Sequence, residues 1–212
     1  SNGGSASQIN NVTAGNYSLT VTDRNGCMVS KDFTLIHPSE LIAYVNNKTD
    51  VLCYGDNTGA IKLNVSGGVP GYDFYWSNGA ISKDADSLFA GLHTVKVIDR
   101  NNCSVTISQQ VDEPPLLTAV LEVQKAISCY KGNDGELFAN ITGGVQPYAL
   151  TWYDPQNTVN STARSLTRLK EGVYQMEIYD ANRCYRVDTL HLIGPKEDFK
   201  SITFDSDDFG NA

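Results

Sequence analysis

The 212-residue chain has no run of eighteen or more apolar residues, so no segment of it is built to cross a bilayer as a helix. It also lacks an excess of positive charge. Sixteen Lys and Arg stand against 24 Asp and Glu, a formal net charge of −8 and a pI of about 4.8. Phosphate recognition needs a basic stripe, and this balance argues against nucleic acid. Histidine is scarce, at three residues, and no CxxC pair occurs, which leaves little from which to assemble zinc. Neither a starting Met nor a signal peptide opens the chain. It begins SNGGSAS and reads as a fragment or processed piece of something longer. What is plentiful is glycine, with 18 residues, and tyrosine, with 11, alongside many Thr, Val, Asn and Asp. These suit short strands joined by tight turns, an all-β class. The length is generous for one sandwich and comfortable for two domains of about 100 residues or fewer.

Internal similarity organises the chain. The stretch CYGDNTGAIKLNVSGGVPGYDFYW from Cys53 recurs as CYKGNDGELFANITGGVQPYALTW from Cys129, 76 residues on. A second segment recurs three times: AGNYSLTVTDRNGC from Ala14, AGLHTVKVIDRNNC from Ala90 and EGVYQMEIYDANRC from Glu171. The step from Gly15 to Gly91 is again 76, but from Gly91 to Gly172 it is 81. The last copy therefore holds five extra residues between Trp152 and Gly172, where a surface loop absorbs them. Prolines mark the joints in HPSE (37–40), DEPP (112–115) and GPKE (194–197), which read as short, stiff connectors. The expected layout is the back half of a repeat over 1–38, complete repeats over 39–115 and 116–195, and an acidic tail or new module over 196–212.

Within a copy the period is two. Ile61, Leu63 and Val65 alternate with polar residues, as do Leu137, Ala139 and Ile141. Gly67-Gly68 and Gly143-Gly144 supply the next turn. Tyr72, Phe74 and Trp76 follow, matched by Tyr148, Leu150 and Trp152. After the loop come His93, Val95 and Val97, with counterparts Tyr17, Leu19 and Val21 and then Tyr174, Met176 and Ile178. With opening strands near 41–46 and 50–53, each copy holds six or seven strands around a central Trp. That pattern predicts tandem immunoglobulin-like β-sandwiches joined by short Pro-containing linkers. The Gly-x-Tyr before the last turn resembles a tyrosine corner.

Cysteines at fixed places in repeated domains of an exported protein are usually paired. Pairing the two ends of each copy predicts Cys53–Cys103 and Cys129–Cys184, and leaves Cys27 single because its partner would lie upstream. A zinc site is the rival reading.

The pattern CYG-x-x-x-G-x-I, GG-x-x-P-Y, W-S-N-G and AG-x-Y-x-V-x-V-x-D-x-N-x-C, followed over residues 1–195, resembles the SprB repeat of bacterial gliding and cell-surface adhesins. The resemblance implies export to the outer cell surface, commonly by the type IX secretion route, and a filament of many tandem copies. It implies no catalytic centre. The partners it implies are neighbouring repeats of the same chain, surface polysaccharide, and the gliding or secretion machinery, without membrane insertion. The functional alternatives are a carbohydrate-binding module and accessory repeats of an exported enzyme.

No nucleophile-and-base constellation recurs around His37, His93 or His191, so no catalytic residue and no cofactor is expected. Calcium is the metal that suits the oxygen-rich turns, at Asp112 and Glu113 or at Asp205, Asp207 and Asp208. Calcium needs six to eight oxygens, however, more than one such turn supplies. Tyr75, Tyr153 and Phe138 lie one step off the core-facing set, and are the candidates to stack on a glycan. Asp86-Ser87-Leu88 and Asp188-Thr189-Leu190 resemble short acceptors for bacterial O-glycosylation, but matches of that length are cheap and the ordinary strand end is the leading reading.

Overall fold

The computed structural model describes residues 8–156 and 161–197, and every regular element among them is a strand. They are β1 (Gly15–Thr22), β2 (Met28–Leu35), β3 (Ile42–Thr49), β4 (Gly59–Ser66), β5 (Asp73–Trp76), β6 (Ala85–Leu88), β7 (Gly91–Ile98), β8 (Ser104–Val111), β9 (Thr118–Lys125), β10 (Gly135–Thr142), β11 (Ala149–Tyr153), β12 (Ser165–Leu169), β13 (Gly172–Tyr179) and β14 (Tyr185–Leu192). Each complete copy forms two three-stranded sheets. The first has orders β3-β4-β6 and β5-β7-β8, the second β9-β10-β12 and β11-β13-β14. The chain is thus a tandem of immunoglobulin-like sandwiches. Six strands serve each copy. The strand expected over 50–53 is instead a loop that tucks Val51 inward at 3% exposure, while the strand before it runs on to Thr49.

By packing, the chain divides into two compact units. One contains the residues up to Lys48 with Ala60–Asp86 and Leu92–Gln110; the other contains Thr49–Gly59, Ser87–Gly91 and the residues from Val111 onward. The second unit holds all of β9 to β14. Its core interleaves Leu137, Ala139 and Ile141 of β10 with Trp152 of β11 and Met176 and Ile178 of β13, closed by Leu166, Leu169 and Leu192. The period-two sets of the sequence are these inward faces. On β4, β5 and β7 the equivalents Ile61, Leu63, Trp76, Val95 and Val97 are likewise buried.

Polar tips of the aromatics are satisfied in the same way in both copies. The indole N–H of Trp76 donates to the Ser82 carbonyl (3.0 Å), and that of Trp152 to the Ala163 carbonyl (2.8 Å). Tyr72 and Tyr148 donate their hydroxyls to the carbonyls of Gly67 and Gly143. Each therefore pins the glycine pair five residues before it. Those pairs need glycine. Gly143 and Gly144 have φ of +71° and +60°, and a Cβ on Gly144 would sit 2.8 Å from an Asp180 oxygen.

The β1–β2 hairpin is the third copy of the β7–β8 and β13–β14 hairpins. It pairs in full register from Gly15 with Leu35 to Thr22 with Met28. Tyr17 donates to the Thr13 carbonyl (2.6 Å) and Tyr174 to that of Lys170 (3.0 Å), the four-residue reach of a tyrosine corner. Yet Leu19 and Val21 are 49% and 54% exposed, where Val95, Val97, Met176 and Ile178 are buried.

Candidate functional site

The most strictly repeated local structure is the turn D-x-N-x-C. In it an aspartate carboxylate organises the backbone of a cysteine four residues on. Asp180 Oδ1 accepts the N–H groups of Asn182 (2.9 Å) and Cys184 (2.8 Å), and Oδ2 accepts that of Val145 (2.9 Å). Asp99 does the same for Asn101, Cys103 and Val69, and Asp23 for Asn25 and Cys27. The backbone closes each turn, with the aspartate N–H donating to the cysteine carbonyl at 2.9, 2.9 and 3.1 Å. Asp99 and Asp180 are buried at 3% and 5% exposure, and converging backbone donors meet the cost of burying their charge. The Val69 N–H above all, with those of Cys103 and Asn101, holds the Asp99 carboxyl below its ordinary 3.8 against the opposing effect of burial. These aspartates shape turns.

The first-position cysteines also sit on matching loops. Asp56 N–H donates to the Cys53 carbonyl and Gly132 N–H to that of Cys129. Leu52 N–H is held by Thr58 Oγ1 (2.8 Å), and its counterpart Ser128 N–H by Asp134 Oδ1 (3.0 Å). Ser128 and the Lys125 ammonium, 3.2 Å away, lower the Asp134 carboxyl to about 2.

The cysteine pairing differs from the expected one. Cys53 is bonded to Cys184, with Cα atoms 5.6 Å apart and 131 residues between them in sequence. Cys103 and Cys129, expected in Cys53–Cys103 and Cys129–Cys184, are free and exposed, as is Cys27. Strand direction supplies the reason. Cys184 immediately precedes β14 at one end of its sandwich. Eight residues later Leu192 reaches the other end, where it packs with Ile127 against Gly135, next to the Cys129 loop. Eight strand residues span roughly 26 Å, and a disulfide tolerates a Cα separation of no more than about 7 Å. The two cysteines of one sandwich lie at opposite ends of it. The observed bond therefore joins the front loop of one copy to the back turn of the next. Asn182 Nδ2 reinforces it by donating to the Leu52 carbonyl (2.8 Å).

At the 112–115 connector, Glu113 accepts the Gly55 N–H (2.7 Å) and Asp112 N–H donates to Asp50 Oδ1 (2.8 Å). Among the described residues no group of three or more His, Cys, Asp or Glu is placed to hold a metal ion. Asp205, Asp207 and Asp208 lie outside the described residues. His37 and His191 are exposed and His93 is half-buried. Ser87 and Thr189 are both exposed; the Asp188 carboxylate beside Thr189 accepts the Leu121 N–H (2.8 Å).

The outward aromatics separate. Tyr75 is 53% exposed on β5, and Phe138 is half-buried on the opposite sheet of the second copy from Tyr153. Tyr153 belongs to a patch that the alternation did not single out. Tyr179 and Tyr185 face one another across β13 and β14 with ring centroids 4.8 Å apart. Tyr153 donates to Glu177 Oε2 (3.3 Å). Desolvation first, and then the Glu177 charge, raise the Tyr153 and Tyr185 hydroxyls above their ordinary 10.0. The signal was present in the sequence. Tyr179 lies one step off the Tyr174/Met176/Ile178 face, as Tyr153 lies one step off Trp152.

Fold and turns define a class, the tandem β-sandwich repeat with a recurring cysteine turn in each copy. The family model "SprB repeat" matches the chain at two places, residues 45–81 and 121–157. The matched spans are the front halves, from β3 or β9 past the central Trp; the D-x-N-x-C turns fall outside them. No curated protein matches the chain. Among solved structures, similarity is found to the C-terminal 282-residue fragment of intimin bound to the intimin-binding domain of its translocated receptor. There the identity is 14%, the coverage 74% of this chain and 64% of that one, and the TM-score 0.38. The chain thus spans a little under two thirds of that fragment. DIP-gamma Ig1+Ig2 is 13% identical over 76% of this chain and 98% of that one, with a TM-score of 0.38. A tetra-tandem repeat from the extending region of a large adhesion protein is 18% identical over 82% and 54%, with a TM-score of 0.29.

Proposed function

We propose that this chain is a non-catalytic spacer region of a large adhesin on the outer cell surface, where disulfide-stapled repeats give reach and resistance to unfolding. The observation that carries this reading is the Cys53–Cys184 bond, which ties successive SprB repeats covalently. A disulfide suits an oxidising, extracellular setting, and short proline connectors limit slack between copies. Gliding or attachment is the activity such a filament would serve, with export by the type IX route.

The tyrosine patch of β11, β13 and β14 favours a second reading, that a repeat itself contacts glycan. Exposed aromatic faces beside a carboxylate offer stacking and hydrogen bonding together. In the first copy Lys96, Ile98 and Ser104 stand where Glu177, Tyr179 and Tyr185 stand in the second, so such a site would belong to one copy and not to the repeat as such.

The test is binding of the oxidised chain to an array of bacterial and plant polysaccharides, with and without calcium, beside antibody labelling of intact cells that make the parent chain. The spacer reading expects surface labelling and no saturable binding. Saturable binding that disappears in Tyr179→Ala and Tyr185→Ala would replace it with the second reading, and absence of surface labelling would remove both.

A further inference from the structure

We infer that the disulfides of this repeat form a ladder in which the first cysteine of each copy bonds the second cysteine of the copy that follows. Cys129 is then the bonding position for the next repeat and Cys103 for the preceding one. The inference rests on the tandem-repeat reading and goes beyond it by assigning a partner to each exposed thiol.

Three observations carry it. One rung, Cys53–Cys184, is formed. The three second-position cysteines stand on the same aspartate-bound turn, with Cys27, Cys103 and Cys184 each receiving an aspartate oxygen on its N–H at 2.8 Å. The asparagine that donates to the Leu52 carbonyl beside the formed rung also recurs at this turn, as Asn25, Asn101 and Asn182. The two first-position cysteines, Cys53 and Cys129, stand on the same loop, each closed by an N–H three residues later. Each free thiol is therefore already held in the local geometry of one half of the formed rung.

Pairing inside a copy is excluded for Cys129 and Cys184 by the length of β14, so an exposed Cys129 can find a matched partner only in another copy. A proline falls at the equivalent place in all three connectors, Pro38, Pro114 and Pro195, which keeps the spacing from copy to copy. Formation of a rung needs an oxidant, here a disulfide compound. The two thiols lose their protons and two electrons as the new S–S bond forms, and the oxidant's S–S bond is reduced to two thiols.

The test extends the full chain by inserting a second 39–195 segment in register after Pro195. The product is folded with oxidised glutathione, its remaining thiols are alkylated, and its peptides are mapped without reduction. The ladder expects two Cys53–Cys184 links and a new link from Cys129 of the first segment to Cys103 of the second. Cys27, the first Cys103 and the last Cys129 would be alkylated, three of nine cysteines. Cys103→Ser should abolish the new link when placed in the second segment and leave it intact in the first. Alkylated Cys129 in the first segment, or any Cys53–Cys103 link within a copy, would overturn the ladder. Polysaccharide binding by the same sample would bear on the spacer reading without altering this map.

Discussion

Pulling the chain from its two ends measures which residues the disulfide bypasses. The Cys53–Cys184 bond withholds 131 residues from extension. At about 3.4 Å per residue for extended chain, that is roughly 450 Å of hidden contour. Optical-tweezer traces of the fully unfolded protein should therefore lengthen by roughly 450 Å once a reductant is added. Pairing within copies would give a different number. Cys53–Cys103 and Cys129–Cys184 enclose 50 and 55 residues, together roughly 360 Å. The two outcomes differ by far more than the length of a strand, and neither depends on the order in which the units unfold. A step near 360 Å would refute the assigned pairing, and no step at all would refute any staple. The same bond constrains the unfolded chain. The loop-entropy relation gives about 5 kcal/mol for a loop of 131 residues. Cys53→Ser should lower chemical-denaturation stability by up to that amount, and Cys103→Ser should leave it unchanged.

Four further outcomes follow from the same geometry. Asp180→Ala strips the acceptor from the N–H groups of Val145, Asn182 and Cys184, of which that of Cys184 is buried and the other two part-buried; at about 1 kcal/mol for each orphaned donor it should cost up to about 3 kcal/mol in urea unfolding. Trp152→Ala empties the centre of the second core and also orphans the Ala163 carbonyl, a loss of about 3–5 kcal/mol by the same measurement. The Asp134 carboxyl titrates near 2 and that of Asp99 below 3.8. Because both are depressed on folding, their contribution is present above the ordinary aspartate range and is lost as pH falls through the folded values. Carboxyl NMR titration should show both more than half ionised at pH 3.8, and the melting temperature should fall as the pH drops below about 4. Hydrogen exchange should be much faster in β1 and β2 than in β13 and β14, since both faces of the hairpin are open and a lone two-stranded ribbon is marginal.

Much of the fold is legible because burial and period coincide. Ile61 and Leu63, Leu137 and Ala139, and Met176 and Ile178 alternate in sequence and point inward in space, so a count of two finds both the strands and their inner faces. The loop over 50–53 misleads because Val51 is buried without belonging to a strand. Its N–H donates to the Asp112 carbonyl across a connector, a contact that no local pattern announces. Nothing local in the D-x-N-x-C pattern tells what its aspartate oxygens bind. Only the three backbone donors converging on each of Asp99 and Asp180 show that their lone pairs are already taken. Tyr179 and Tyr185 were readable as outward residues but not as a pair, since their meeting requires the β13–β14 register.

The cysteine pairing fails to be legible for a reason intrinsic to repeats. A periodic sequence fixes where a cysteine stands within a copy but not which copy supplies its partner, because every copy offers the same two positions. Taking the copy as the unit then favours a partner within it, 50 or 55 residues away. Strand direction favours a different one. An eight-residue strand such as β14 carries the chain from the second cysteine to the far end of its own sandwich, roughly 26 Å from where it began. The end of the sandwich that holds the second cysteine therefore has no first cysteine of its own. The first cysteine that reaches it is the one presented by the preceding copy, which is the geometry of Cys53 and Cys184. The Cys53–Cys184 bond serves the joint between copies and leaves the interior of a copy to hydrophobic packing. A repeat whose core is held by Trp152, Leu137 and Met176 has no staple between its own two cysteines.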